Sequence, residues 1–152
     1  MKKPASKDLL FVGTQILLFV VYLIPITPYP LYVPDLLKNI SLVVAILGLG
    51  VIGLAVVQLN DNLTPFPTPK EKGVLIQTGL YKYIRHPIYS GIILFTVGWG
   101  VFDENIWKIG IGTLLWILFY FKSSYEETLL MNKFEAYKTY RKTTGRFFCF
   151  FK

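Results

Sequence analysis

Residues 79–91 read Gly-Leu-Tyr-Lys-Tyr-Ile-Arg-His-Pro-Ile-Tyr-Ser-Gly, so a guanidinium, an imidazole and phenols crowd the start of an apolar run. Proline suits the first position of a helix, where its missing N–H is no loss. Pro87 is therefore predicted to open a helix, with His86 near its N-cap. The free N–H groups of that first turn, with the helix dipole, make an anion site. Arg85 adds a fixed positive charge able to grip a carboxylate through two parallel hydrogen bonds. Ile88 and Tyr89 supply walls, and Gly91 permits close packing. The pattern suits a ligand with a carboxylate or phosphate and a flat or apolar part. The competing reading makes Arg85 and His86 interface anchors that meet lipid headgroups.

Glu126-Glu127 is the second polar pair. Neighbours on a helix point about 100° apart, so these carboxylates do not form a shared-proton dyad. One reading is a solvated helix start paired with Lys122 or Lys133 at surface strength. The other is a carboxylate facing a cation. An anion grip and a carboxylate in one site would suit a zwitterionic ligand. A metal centre is not expected, because His86 is the single histidine and no ligand-spaced Cys or carboxylate lies near it.

These residues must be positioned by a very apolar chain. More than half of its 152 residues are hydrophobic and the mean hydropathy is +0.49, which argues against a water-soluble globule. Net charge +7 raises nucleic acid as a partner. The charges flank apolar runs, however, so anionic lipid headgroups are the better counter-surface and nucleic acid is not expected. Apolar stretches at 9–24, 40–59, 87–102 and 106–121 predict an all-α integral membrane fold with about four spans in one domain, 1–152. Three of them hold 16 residues and the second 20. Sixteen residues cover roughly 24 Å of helix, short of the usual span. The last two stretches, joined by Asp103-Glu104-Asn105, predict a short helical hairpin. Pro-Ile-Thr-Pro-Tyr-Pro after the first stretch carries no small-x-small cleavage pattern, so that stretch is read as a retained span.

With a cytoplasmic N-terminus, 14 of the 16 basic residues fall on the cytoplasmic side, leaving Lys38 and Lys108 opposite. The positive-inside bias puts both termini, the 60–86 loop and the C-terminal segment in the cytoplasm. Gly48-Leu-Gly-Val-Ile-Gly53 matches a dinucleotide fingerprint in form. It lies within an apolar helix with no preceding strand, so helix packing is the reading. Thr64-Pro-Phe-Pro-Thr-Pro69 predicts a stiff, extended loop. Residues 123–142 show helical periodicity, with Glu126, Leu130, Lys133 and Tyr137 on one stripe. They predict an amphipathic cytoplasmic helix continuing from the fourth span. The aromatic tail 145–152 is expected to fold back on the membrane face or a ligand.

Arg85-His86-Pro87, then Trp99, then Glu126-Glu127, with Glu127-x-x-Leu130, Phe134, Tyr137, Tyr140, Thr144 and Arg146-Phe147 following, resembles the isoprenylcysteine carboxyl methyltransferase family and its phospholipid methyltransferase relatives. The likeness covers roughly residues 40–150. It implies an integral membrane enzyme using S-adenosyl-L-methionine, with its active site facing the cytoplasm. It implies a cofactor pocket built around residues 81–91 and the Glu126/Glu127 helix. The cofactor-binding residues expected are Tyr81, Arg85, His86, Pro87, Tyr89, Gly91, Glu126, Glu127 and Tyr137, and the catalytic residues Glu127 and Arg146. The helix start with Arg85 would take the methionine carboxylate. Glu126 or Glu127 would face the amine or ribose, and tyrosine rings the adenine or sulfonium. The partner implied is a lipid-like or membrane-borne acceptor. Cys149 stands where the family tail commonly carries proline. Four spans is near the small end for the family, which leaves phospholipids, other lipids and small hydrophobic thiols open as acceptors. Two alternatives stand beside this one. An NADPH-binding membrane reductase would use Arg141, Lys142 and Arg146 for the 2′-phosphate; the other is a non-enzymatic membrane adaptor.

Overall fold

The computed structural model describes residues 5–27, 29 and 31–149. Lys2, Lys3, Pro28, Pro30, Lys152 and the last tail residues lie outside these. The described residues form α1 (Ser6–Leu23), α2 (Asp35–Leu59), α3 (Pro87–Phe102), α4 (Ile106–Lys133) and α5 (Tyr137–Thr143), with 3₁₀ turns at Asn60–Asn62 and Gly79–Lys82.

Local chemistry sets the helix ends. Asp8 reaches back to the Ala5 N–H at 3.4 Å and caps α1. Pro34 precedes α2 and Pro87 is the first residue of α3. The Asn105 side chain accepts from the Lys108 N–H at 3.1 Å and starts α4. Asp103-Glu104-Asn105 turns the chain between α3 and α4, so the expected hairpin is present. Asn105 also donates to the Ile26 carbonyl at 3.0 Å, which ties the hairpin turn to the connection after α1.

The helices pack in succession: α2 on α3, α3 on α4, α4 on α1. Among the described residues, three helices are long and apolar enough to cross a membrane: α1, α2 with its following turn, and α4. The shorter apolar helix is α3, with 16 residues, or roughly 24 Å. The helix expected to continue from the fourth stretch over 123–142 does continue, but only to Lys133. Residues up to Lys133 extend α4, to 28 residues or about 42 Å. The chain then breaks at Phe134, which is extended with φ −124° and ψ 113°. No Pro or Gly stands there, and local pattern favours continuation. The break lets α5 turn Tyr137 and Tyr140 inward, where both are buried. Burying two large phenol rings outweighs a few helical hydrogen bonds.

The α2–α3 contact depends on glycine. A Cβ on Gly91 would stand 2.6 Å from Ile52 Cγ1 and 2.7 Å from the Gly48 carbonyl. Gly48 meets the α3 backbone equally closely, whereas Gly50 and Gly53 face open space. Of the three glycines in the false fingerprint, only Gly48 serves helix packing. Gly91→Ala is expected to destabilise the protein by about 1–3 kcal/mol, while Gly50→Ala stays within about 0.5 kcal/mol. Thermal unfolding of both variants in detergent checks this.

Candidate functional site

The segment before α3 is seated on the end of α2. Gly79 has φ +60°, and a Cβ there would lie 2.4 Å from Gln58 Cδ. Only glycine permits this approach, which lets the Leu80 N–H donate to Gln58 Oε1 at 2.8 Å. The chain then turns, and His86 becomes the N-cap of α3. The C-terminal segment runs alongside. The Arg85 and His86 N–H groups donate to the Gly145 and Arg146 carbonyls at 2.8 and 3.1 Å, and the Gly145 N–H donates to the Tyr83 carbonyl at 3.0 Å. Ser90 Oγ donates to the Phe147 carbonyl at 2.6 Å. Phe147 itself is buried in a core with Ile93, Leu115 and Phe119, so this part of the aromatic tail folds inward.

Glu127 is the centre of the arrangement. Its side chain is 1% exposed, and Oε1 accepts from Arg85 Nε at 2.9 Å. The same oxygen is 3.2 Å from His86 Nε2 and 3.5 Å from Arg146 Nε. Arg141 Nε lies 3.1 Å from Oε2. That last contact is ionic without hydrogen-bond alignment, since Oε2 has no hydrogen-bond partner among the described residues. Arg85 is further tethered through Nη1, which donates to the Arg141 and Thr144 carbonyls. Glu127 thus has its positive partners from the protein. It stands behind the cavity, not in its lining.

Glu126 points differently, as adjacent helix positions must. Its Oε2 accepts from Tyr89 Oη at 2.9 Å and lies 3.8 Å from His86 Nδ1. The His86 imidazole sits between the two carboxylates and stacks on Tyr89, centroids 5.4 Å apart. Tyr89 stacks in turn on Phe119 at 4.6 Å. Glu126, His86 and Tyr89 border a cavity of about 230 Å³. Tyr81, Arg85, Pro87 and Tyr137 also line it, as do Phe66 and Pro67 of the proline-rich loop.

Burial raises the phenol pKa values outside the helical spans. Burial pushes Tyr140 up from 10.0 to about 12, with Arg85 pulling down and Glu127 pushing up. Burial drives Tyr81 and Tyr137 in the same direction, and Glu126 and Glu127 respectively add to it. These groups are therefore neutral O–H donors at ordinary pH. Tyr140 donates to the Tyr81 carbonyl. Tyr137 is 1% exposed, and its hydroxyl has no hydrogen-bond partner among the described residues. On the cavity wall this leaves one buried O–H donor unsatisfied by the protein's described residues.

Three expected site residues are placed otherwise. Glu127, expected both to bind the cofactor and to act in catalysis, is taken up by the protein's own cations behind the cavity. Gly91 lies on the α2 side of α3, serving the helix contact. Arg146 stands over the Tyr120 ring at 4.9 Å and donates to Ser124 Oγ at 2.9 Å; with Glu127 it braces the site from behind. Reasoning from sequence also passed over Lys122, taking it for a surface ion-pair partner of the Glu126-Glu127 pair. The structure buries it in the cavity wall beside Gln15 of α1. The available signal was its position, a cation one helical turn before Glu126 at the end of an apolar run.

The phospholipid methyltransferase family model matches residues 37–137. The chain belongs to the phospholipid methyltransferase family. The match to this family of membrane enzymes takes in Arg85-His86-Pro87 and Glu126-Glu127. A protein-S-isoprenylcysteine O-methyltransferase of Dictyostelium discoideum is 36% identical over 76 residues, covering 49% of this chain and 32% of that protein. The structure of a eukaryotic intramembrane Ras methyltransferase, isoprenylcysteine carboxyl methyltransferase, superposes with TM-score 0.68 at 23% identity. It covers 95% of this chain and 53% of the other, so the methyltransferase fold is shared. The chain spans about a third of the curated relative and about half of the solved one.

Removing Glu127 would leave the buried Arg85 guanidinium without its carboxylate, facing the more exposed Arg141 and Arg146. Glu127→Ala is expected to cost about 3–5 kcal/mol, and Glu126→Ala about 1 kcal/mol. Chemical or thermal unfolding in detergent measures the difference.

Proposed function

We propose that the chain transfers a methyl group from S-adenosylmethionine to a lipid-like, membrane-borne acceptor at the cytoplasmic face. In this reading the chain is one membrane domain, α3 completes four spans, and both termini lie in the cytoplasm. One observation carries it. Arg85-His86 and Glu126-Glu127, some forty residues apart in sequence, meet at one cavity with the unpartnered Tyr137 hydroxyl in its wall.

The residues present fit the cofactor. The first turn of α3 supplies free N–H groups and a positive dipole end for a carboxylate. Glu126 takes an amine or ribose hydroxyl, and Tyr137 donates to one of the ligand's oxygens or nitrogens. The rings of Tyr81 and Tyr89 offer faces to adenine or to a sulfonium. When bound, the cofactor supplies an activated methyl on positive sulfur. The protein's part is to hold the acceptor in line and keep water out. An ionised carboxylate or thiolate acceptor needs no base. An amine acceptor must first lose a proton, which His86 or Glu126 can take. Arg85, Glu127 and Arg146 act as positioning residues. The Dictyostelium relative's name supports transfer to oxygen. The reductase alternative loses support, because Arg141 and Arg146, wanted for a 2′-phosphate, both turn to Glu127.

Calorimetry on the full chain in detergent tests the proposal. S-adenosylhomocysteine is expected to bind and NADPH to give no heat; the reverse pattern would overturn the reading. Tyr137→Phe breaks no hydrogen bond within the described residues. It should weaken S-adenosylhomocysteine by roughly three- to tenfold while leaving the melting temperature nearly unchanged.

A further inference from the structure

Lys122 and Lys133 lie on α4 eleven residues apart, which is three turns and one face, about 16 Å along the axis. Glu126 and Leu130, which fall between them on the same face, line the cavity. Each lysine donates to backbone carbonyls of the segment that follows α2. Lys122 Nζ donates to the Pro65 carbonyl at 2.9 Å. Lys133 Nζ donates to the Glu71 carbonyl at 3.0 Å and also to that of Lys70. The segment between these points, with Phe66 and with Pro67 fully buried, forms one wall of the cavity.

The two contacts differ in environment. Lys133 reaches an exposed surface, where a single pair counts for little. Lys122 is 1% exposed and directly follows the apolar stretch 106–121 of α4. A buried ammonium must have its donors matched. Besides Pro65 it donates to Gln15 Oε1 at 2.6 Å, and it stands over the Tyr89 ring at 5.4 Å. Prolines contribute no N–H, so a run of them cannot hold itself by backbone donors. The Lys70 carbonyl accepts from the Gly73 N–H at 2.9 Å within the segment; at Pro65 and Glu71 the carbonyls take donors from α4.

We propose that Lys122 and Lys133 are paired staples that fix the proline-rich loop as the cavity's outer wall, and that Lys122, through Gln15, makes α1 part of the site. Lys122 is a positioning residue: it shapes the wall against which the ligand rests. The affinity arm of the test rests on the cofactor reading above, and the mobility arm does not.

A nitroxide label at position 68 (Thr68→Cys in a Cys149→Ser background) reports loop motion in the full chain in detergent. Lys122→Met, which keeps the stem and removes the charge, is expected to mobilise the label clearly. Lys133→Met and Gln15→Leu should do so to a lesser degree, and Lys122→Arg should restore the wild-type spectrum. S-adenosylhomocysteine should bind about tenfold more weakly to Lys122→Met and about threefold more weakly to Lys133→Met. A label unmoved by both Lys122→Met and Lys133→Met would overturn the proposal. Gln15→Leu without effect beside a strong Lys122→Met effect would overturn the link to α1. If Lys122→Met fails to fold, Lys133→Met and Gln15→Leu carry the same decision. Absence of S-adenosylhomocysteine binding to the unsubstituted chain would sink the cofactor reading, leaving the mobility result to decide the staples.

Discussion

A single buried carboxylate organises this protein. Glu127 is shut away from solvent on α4, where an unpaired charge would not be tolerated. Its neutralisation draws Arg85 from the start of α3, Arg141 from α5 and Arg146 from the C-terminal segment, with the His86 imidazole 3.2 Å from the same carboxylate. Four pieces of chain are thereby gathered at one end of the helical array. Arg85 in turn holds the Arg141 and Thr144 carbonyls, and the Gly145–Phe147 backbone lies along the 83–86 strip. A lone negative charge among so many donors cannot be exchanged for a neutral side chain without leaving those cations opposed.

That cluster divides labour between two neighbouring glutamates. Glu127 faces into the protein and carries structure. Glu126, turned about 100° away on the same helix, lines the cavity and accepts from Tyr89 there. The imidazole of His86 touches both sides, and its stack with Tyr89 and Phe119 passes the arrangement down into the apolar core. For the methyl transfer proposed above, where alignment supplies most of the rate, this continuity between ion cluster and packed rings would hold the site in place.

Helix lengths place the polar end where it belongs. The short α3 begins at the site, while α4 runs on well beyond the length of a span before it breaks. Its last turns present Lys122, Glu126, Leu130 and Lys133 to the proline-rich loop. A loop poor in donors and a helix end rich in them are complementary. The cavity that results lies between the proline-rich loop and helices apolar enough for lipid.

Much of this was legible in the chain itself. Apolar run lengths, Pro87 at a helix start and the three-residue hairpin turn are local properties, dictated by backbone chemistry and by periodicity. The polar pairs at 85–86 and 126–127 announced a site because charge next to a membrane helix is expensive. Spacing alone could not say which glutamate faces inward, that Gly91 serves α2, that the helix breaks at Phe134, or that Lys122 is buried. Each of those depends on what another segment presents at the same place: Ile52 against Gly91, Tyr81 above Tyr140, Gln15 and Pro65 around Lys122. Sequence determined which residues would be helical, apolar or charged, since those are properties of a residue and its near neighbours. Tertiary structure decided which charges neutralise each other and which remain for a ligand, since desolvation depends on every group that surrounds a charge, however distant along the chain.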